Sequence, residues 1–241
     1  MENSIIAWTD NTFNIAWGCV KVSPGCKNCY ADSLAKRYKW DVWGAGKERR
    51  TFGPDHWAKP VKWNKEAIAS GRSIKVFCSS MCDVFEDHPT IAQEREKLWD
   101  LIRATPHLDW QLLTKRPQRI RECLPPDWGN GYKNVWLGTT IESAEYRGRA
   151  DHLRTIPARV RFISYEPALG PLGDINLNGI HWLIYGGESG KDYRPHNVQW
   201  ARDIRARCKK FGTAFFYKQS SAYRTEMGIE LDGEIVREFP A

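Results

Sequence analysis

The chain has 241 residues and a formal net charge of +7, with its Lys and Arg residues spread along the sequence instead of gathered in a tail. This length suffices for one α/β barrel domain, which we predict for residues 1–241, and the positive charge permits binding to nucleic acid or nucleotides. The sequence has no apolar stretch of the about 20 residues needed to span a bilayer, and it begins without the pattern of a secretory signal. Its seven cysteines are unevenly placed, which argues against a disulfide framework. We therefore predict a cytoplasmic protein without membrane association.

The first predicted elements are a strand near residues 15–20 and a helix over residues 28–39, with a cysteine-rich loop between them. Cys19, Cys26 and Cys29 have the spacing C-x6-C-x2-C, and a Ser-Pro-Gly turn brings the first thiol back toward the other two. Thiolates suit zinc and iron–sulfur clusters, and the amino end of a helix lowers thiol pKa values. Three cysteines leave one coordination position open, whereas structural zinc normally takes four protein ligands. The pattern predicts a metal or cluster loop.

Residues 40–72 are rich in Trp, Gly, Lys and Arg and have no sustained period. We predict an irregular insertion with a short helix near residues 64–70. The run Lys47-Glu48-Arg49-Arg50 is either a solvated surface loop, which we favour, or a phosphate contact. At the other end, residues 220–241 are predicted to be a C-terminal extension. Either residues 224–239 or a second subunit would cover the edge of a partial barrel.

From residue 73 onward, short apolar runs alternate with helical stretches. The first run is followed by a helix to about residue 104, for which Thr90 and Gln93 provide a capping box. Short buried strands that alternate with helices indicate parallel β/α units with right-handed crossovers. Six or seven units therefore predict an α/β fold, a partial or complete parallel (β/α) barrel. The predicted strands are residues 74–78, 110–114, 135–139, 160–164, 182–185 and 214–217.

The segment from Trp8-Thr9-Asp10 through Arg37 resembles the opening of a phage-associated family of uncharacterised proteins related to radical S-adenosylmethionine (SAM) enzymes. Further matches, which extend the resemblance over nearly the whole chain, are Ser79-Ser80-Met81-Cys82-Asp83-Val84-Phe85, Leu113-Thr114-Lys115-Arg116-Pro117, Ser164-Tyr165-Glu166-Pro167, Gly186-Gly187-Glu188-Ser189-Gly190 and Phe215-Phe216-Tyr217-Lys218-Gln219. The resemblance implies a [4Fe–4S] cluster on Cys19, Cys26 and Cys29, SAM on its open iron, and an electron donor such as flavodoxin or ferredoxin. The superfamily has C-x3-C-x2-C, so the first spacing here is three residues longer.

In parallel β/α barrels, the loops that follow the strands form the face that carries the active site. Residues with reactive or polar side chains, and a Gly-Gly pair, follow the predicted strands. We predict that SAM contacts Ser79, Ser80, Asp83, Thr139, Glu166, Gly186, Gly187 and Glu188, and that Lys115, Glu188 and Lys218 are catalytic. Structural ion pairs are the alternative for the carboxylates and the lysines alike.

The segment that contacts the SAM amino group stays open at this point. Gly186-Gly187-Glu188 resembles the Gly-Gly-Glu segment that has this role in many radical SAM enzymes, but it follows a late strand. Ser79-Ser80-Met81 follows the second predicted strand, where that segment usually stands. Cys78 and Cys82 form a looser C-x3-C pair nearby, and we favour a packing role for them over metal ligation or reactivity.

The predicted function is a radical SAM-like enzyme that modifies or rearranges a nucleobase or nucleotide, with a base in DNA as one option. The substrate class rests on the positive charge, the twelve tryptophans and the phage association, although most tryptophans are expected to be packing residues. The alternative is a zinc-binding nucleic-acid-binding module without redox chemistry, in which Cys78, Cys82 or a histidine completes the site. A third, weaker option is a scaffold that has lost its cluster.

Overall fold

The computed structural model describes all 241 residues and contains one sheet of seven parallel strands in chain order. The strands are β1 (Asn11–Phe13), β2 (Ile74–Cys78), β3 (Leu108–Thr114), β4 (Val135–Thr140), β5 (Val160–Tyr165), β6 (Trp182–Gly186) and β7 (Ala214–Gln219). The sheet curls into a half-barrel, which is not closed because the first and last strands are not hydrogen-bonded to each other. The predicted parallel (β/α) barrel is confirmed in its partial form.

Seven helices accompany the strands, and none has the length and apolar character needed to span a membrane. They are α1 (Tyr30–Arg37), α2 (Pro54–Trp57), α3 (Lys59–Ser70), α4 (Pro89–Ala104), α5 (Ile120–Cys123), α6 (Gly148–Arg154) and α7 (Val198–Phe211). The helix predicted at residues 64–70 begins five residues earlier, because Pro60 lies in its first turn, where a missing backbone N–H costs nothing.

Two predictions from the sequence are wrong: the position of the first strand and the residue that caps α4. The first strand is not at residues 15–20; it lies upstream, where Asn11 pairs with Val76 of β2. Its polar residues hid it from a search for apolar runs. The cap of α4 is not the Thr90 side chain but that of His88, whose Nδ1 accepts a hydrogen bond from the Thr90 backbone N–H at 3.2 Å. Pro89, which immediately follows His88, starts the helix there.

Large aromatic side chains fill the interior of the half-barrel toward the amino ends of its strands. This interior cluster consists of Trp8, Phe77, Trp136, Val160, Phe162, Trp182, Ile184 and Phe216. Phe239 from the C-terminal segment packs on Trp182 with ring centroids 5.3 Å apart. Near the carboxyl ends, the wall instead includes Thr140, Ser164 and Lys218. Because the interior is packed from the amino end, the available space lies at the carboxyl end.

The two outer strands of the sheet are covered by the chain termini. The backbone N–H of Tyr217 donates to the carbonyl of Val236 at 2.8 Å, which places part of residues 224–239 along β7. At the opposite edge, the N–H of Thr12 donates to the carbonyl of Met1 at 3.0 Å. Such pairing protects edge strands from association with other chains.

Gly138 on β4 makes room for the ring of Phe162 on the neighbouring strand. A Cβ atom at this position would lie 2.3 Å from Cζ of that ring. We expect Gly138→Ala to lower the free energy of unfolding by about 1–3 kcal/mol, because the added methyl overpacks a filled interior. Denaturant unfolding of Gly138→Ala, Phe162→Leu and the double variant checks this, and strictly additive losses would contradict the proposed clash.

Candidate cluster and cofactor site

A cavity of about 220 Å³ opens at the carboxyl ends of the strands. All three cysteines of the predicted cluster loop line it, together with residues from the loops after β2, β3 and β5 and from β7. The polar and sulfur-bearing lining residues are Cys19, Lys21, Cys26, Cys29, Tyr30, Ser79, Ser80, Met81, Cys82, Asp83, Thr114, Lys115, Arg116, Thr140, Ser164, Glu166 and Lys218. The structure thus brings together residues that are up to 199 positions apart in the sequence, from Cys19 to Lys218.

The cysteine loop begins with a backbone conformation that requires glycine. Gly18 has φ +116°, and a Cβ atom there would lie 2.2 Å from the carbonyl oxygen of Val42. Cys26 ends a short 3₁₀ helix, and Cys29 is the N-cap residue of α1. All three thiols are half-buried and form no disulfide. This arrangement leaves the three sulfurs available as ligands.

Arg116 connects the first cysteine to the loop after β2. Its Nη1 donates to Asp83 Oδ2 at 2.8 Å and to Cys19 Sγ at 3.7 Å, and its Nη2 donates to the carbonyl of Val20 at 2.9 Å. Burial and then the nearby carboxylates raise the pKa of the Cys19 thiol, whereas the Arg116 guanidinium acts in the opposite direction. Arg116 is therefore placed to stabilise a thiolate at Cys19.

Asp83, predicted to contact SAM, has its oxygens bound by protein groups. Thr114 Oγ1 donates to Asp83 Oδ1 at 2.7 Å, and the Phe85 backbone N–H donates to the same oxygen at 3.0 Å. The other oxygen accepts from Arg116. In this structure Asp83 orients Arg116.

Glu86 and Arg49, which the sequence analysis did not single out as site residues, form a buried ion pair behind the cysteine loop. Glu86 accepts from Arg49 Nε at 2.9 Å and from the Val20 backbone N–H at 2.8 Å, and it lies 3.6 Å from Arg116 Nη2. The interpretation of residues 47–50 as a solvated run is wrong for Arg49, which is 4% exposed. Its partner is 37 residues away, and no local pattern reveals such a pair.

A second ion pair lines the cavity itself. Lys218 Nζ is 2.7 Å from Glu166 Oε2, and Ser164 Oγ donates to the other oxygen of Glu166 at 3.4 Å. Gly186 allows this arrangement, because a Cβ atom there would lie 2.7 Å from Glu166 Oε2. Lys115 also lines the cavity, but its ammonium group makes no ion pair or hydrogen bond within the protein. Lys115 is thus the cavity-lining lysine that is free to bind an anion.

Four residues predicted to contact SAM do not line the cavity: Thr139, Gly186, Gly187 and Glu188. The buried Thr139 hydroxyl donates to the carbonyl of Thr114 at 3.0 Å. Gly187 packs closely against the backbone of Ser221. Glu188, also predicted to be catalytic, accepts from Arg194 Nε at 2.8 Å and from Asn28 Nδ2 at 3.1 Å.

The environment of Glu188 favours its ionised form. Burial acts to raise the pKa of its carboxyl, but the hydrogen bonds from Arg194 and Asn28 outweigh this effect and lower the pKa. Asn28 belongs to the cysteine loop, between Cys26 and Cys29. The Glu188 side chain therefore fastens that loop to the segment after β6.

The loop after β2 contacts both the end of β1 and the start of α1. Ser79 has φ +71°, and its backbone N–H donates to the carbonyl of Phe13 at 2.7 Å. The Ser80 carbonyl accepts from the hydroxyl of Tyr30, the first residue of α1, at 2.9 Å. Cys78 is fully buried in the core, in agreement with a packing role, whereas Cys82 lines the cavity.

The donor set determines which kind of centre these residues fit. No group of three or more His, Cys, Asp or Glu side chains converges on a position for a single metal ion. A four-ligand zinc site requires such convergence, whereas a [4Fe–4S] cluster takes its cysteines on different irons and holds them farther apart. Three free thiols that line one cavity, one of them beside Arg116, fit a cluster with an open iron.

The protein is a partial parallel (β/α) barrel that carries a three-cysteine loop between its first strand and its first helix. The chain belongs to the family described as "protein of unknown function (DUF5131)", whose model matches residues 3–240. This agrees with the resemblance to an uncharacterised family. No curated protein matches the sequence.

Among solved structures, the fold is similar to that of spore photoproduct lyase. A mutant of that enzyme with bound AdoMet and dinucleoside spore photoproduct has a TM-score of 0.53 and 13% identity, over 88% of this chain and 64% of the other. A cysteine-to-serine mutant has a TM-score of 0.57 and 13% identity, over 90% of this chain and 78% of the other. This chain thus spans less than two thirds of the first of these proteins, and at such identity the similarity concerns the fold.

Proposed function

We propose that this protein is a radical SAM-type enzyme in which Cys19, Cys26 and Cys29 hold a [4Fe–4S] cluster and SAM binds in the same cavity. The observation that carries the proposal is that all three free thiols line one cavity, which opens at the carboxyl face of the half-barrel. Active sites of parallel β/α barrels lie at this face. When bound, the cluster and SAM supply a reductive carbon–sulfur cleavage that yields a carbon radical able to abstract hydrogen from a substrate.

The protein's own residues act by binding and orientation. The Arg116 guanidinium stabilises the negative charge on Cys19, and Asp83 keeps that guanidinium in place. Packing of the interior cluster below the cavity keeps water away from the amino-end side of the site. An external one-electron donor of the flavodoxin or ferredoxin type completes the system.

We assign the first contacts with SAM to the residues on the cavity wall. Ser79, Ser80 and Glu166 offer hydroxyl and carboxylate groups to the amino group and ribose hydroxyls of SAM, with Lys218 holding Glu166. The Glu188 carboxylate is already bound by Arg194 and Asn28. The segment after β2 is therefore a better candidate for the amino group than Gly186-Gly187-Glu188, which supports the site from behind.

The proposed substrate is a nucleobase or nucleotide, with a base in DNA as the favoured form. Lys115 supplies an unpaired cation at the cavity wall, which suits a phosphate group. The net charge of +7 favours approach of a polyanion. A structurally similar enzyme has been observed with a dinucleoside photoproduct, which is consistent with this substrate class.

The proposal is tested by anaerobic incubation of the reconstituted protein with SAM and dithionite, followed by quantification of 5′-deoxyadenosine. We expect product with the wild type and none above the protein-free level with Cys29→Ala, because a cluster ligand is removed. Cys123→Ala is the control, since this cysteine lies at the end of α5 and does not line the cavity. Equal product from wild type and Cys29→Ala would overturn the assignment.

A further inference from the structure

A stack of aromatic rings lies on the surface beside the cavity. Tyr38 stacks on Trp40 with centroids 4.8 Å apart and planes at 22°, and Trp40 contacts Trp17 at 4.6 Å. The Arg50 guanidinium carbon lies 3.8 Å from the centroid of Trp40. Tyr38 ends the stack and is 54% exposed. We call these four residues the aromatic surface. The ring of Tyr38 has room for a further flat group.

The aromatic surface carries positive charge. Residues 32–50 contain six Lys or Arg and three Asp or Glu. Arg49 is neutralised by Glu86 and Lys47 by Asp41, but Arg37 and Lys39, on either side of Tyr38, are exposed and form no ion pair. Cations beside an open aromatic ring are the arrangement that binds phosphates and stacks bases.

The aromatic surface is continuous with the cavity. Trp43 lines both the cavity and a shallow neighbouring groove, and Trp40 lines that groove as well. Lys21 and Lys36 also line the groove, and each is paired there with Asp32. Val20 is also shared by the cavity and the groove. A chain that lies along the groove therefore reaches from Trp40, on which Tyr38 stacks, to the mouth of the cavity.

From these observations we infer that the aromatic surface binds a single strand of DNA, with one base stacked on Tyr38 and the phosphates beside Arg37 and Lys39. The inference rests on the proposed function, because it identifies how a base within DNA is presented to the cavity. A base in a duplex is already stacked and does not offer its face, so the surface selects unpaired nucleotides.

The test is binding of a fluorescein-labelled single-stranded 12-mer to the reconstituted full-length protein, followed by anisotropy at several salt concentrations. We expect Tyr38→Leu to weaken binding about tenfold, since stacking on one aromatic ring contributes about 1–3 kcal/mol per base, whereas Tyr38→Phe keeps the flat ring and most of the affinity. Equal affinity of the Leu and Phe variants would overturn the inference.

A charge reversal tests the phosphate contacts. Lys39→Glu should weaken binding and reduce the slope of log K against log salt by about 0.7 for each phosphate that the variant no longer neutralises. The matched control is Lys210→Glu, an exposed cation at the carboxyl end of α7 that lines neither the cavity nor the groove. Equal effects of the two reversals would contradict a specific surface. Tighter binding of duplex DNA, or of RNA of the same sequence, would show that single-stranded DNA is not the partner of this surface.

Two outcomes separate this inference from the proposed function. If the protein binds the single strand in a way that requires Tyr38 but does not cleave SAM, the inferred DNA-binding surface is retained and the proposed enzymatic function is overturned. If the protein cleaves SAM but the Tyr38→Leu and Tyr38→Phe variants bind the single strand equally well, the proposed enzymatic function is retained and the inferred DNA-binding surface is overturned. Circular dichroism of each variant verifies that the fold is intact.

Discussion

Glu86→Ala is expected to lower the free energy of unfolding by about 3–5 kcal/mol, because it leaves the buried Arg49 guanidinium without its counter-ion. The Arg49 side chain is 1% exposed and the Glu86 side chain 3%, so water does not replace the missing carboxylate. The change also removes the acceptor for the Val20 backbone N–H and a carboxylate 3.6 Å from Arg116. Denaturant unfolding under anaerobic, reducing conditions measures this effect.

The matched control is Glu122→Ala. Glu122 is paired with Arg119 at 2.8 Å, but its side chain is 58% exposed. Exposed ion pairs contribute about 0–1 kcal/mol, so this variant should unfold close to the wild type. Similar destabilisation of the two variants would contradict the conclusion that burial makes the Glu86 pair important.

The sequence predicted the later strands well, because each is a short apolar run followed by polar residues. The prediction for β2 has the observed bounds, and β3 to β7 extend the predicted runs by one or two residues. β1 is different, since Asn11 and Thr12 are polar although buried. Their burial depends on contacts with β2 and with the first residue of the chain, and periodicity does not report such contacts.

Part of the candidate site could likewise be predicted from the positions of the strands. Residues immediately after parallel strands converge at one face, so the cysteines, Lys115, Glu166 and Lys218 could be grouped before the structure was known. The rule does not identify ion-pair partners. Glu188 looked equivalent to Glu166 in sequence, but Arg194, in an irregular loop six residues further on, binds it outside the cavity. The sequence did not predict the buried ion pair between Glu86 and Arg49, because the pair links loops that are distant in the chain.

Substitution of Cys26 should abolish binding of the cluster. Cys26 ends the 3₁₀ helix that brings the loop back toward Cys29, and its thiol has no disulfide partner. If it is one of three cluster ligands, Cys26→Ala leaves two thiolates, and the cluster should dissociate on anaerobic desalting. Cys208→Ala is the control, because Cys208 is buried in α7 and does not line the cavity.

The measurement that tests the central claim most directly is the content of iron, acid-labile sulfide and zinc per chain after anaerobic reconstitution of wild type, Cys26→Ala and Cys208→Ala. The account predicts about four iron and about four sulfide in wild type and Cys208→Ala, and almost none in Cys26→Ala. Zinc without sulfide in the wild type, or unchanged iron and sulfide in Cys26→Ala, would contradict the assignment of a [4Fe–4S] cluster to the three-cysteine loop.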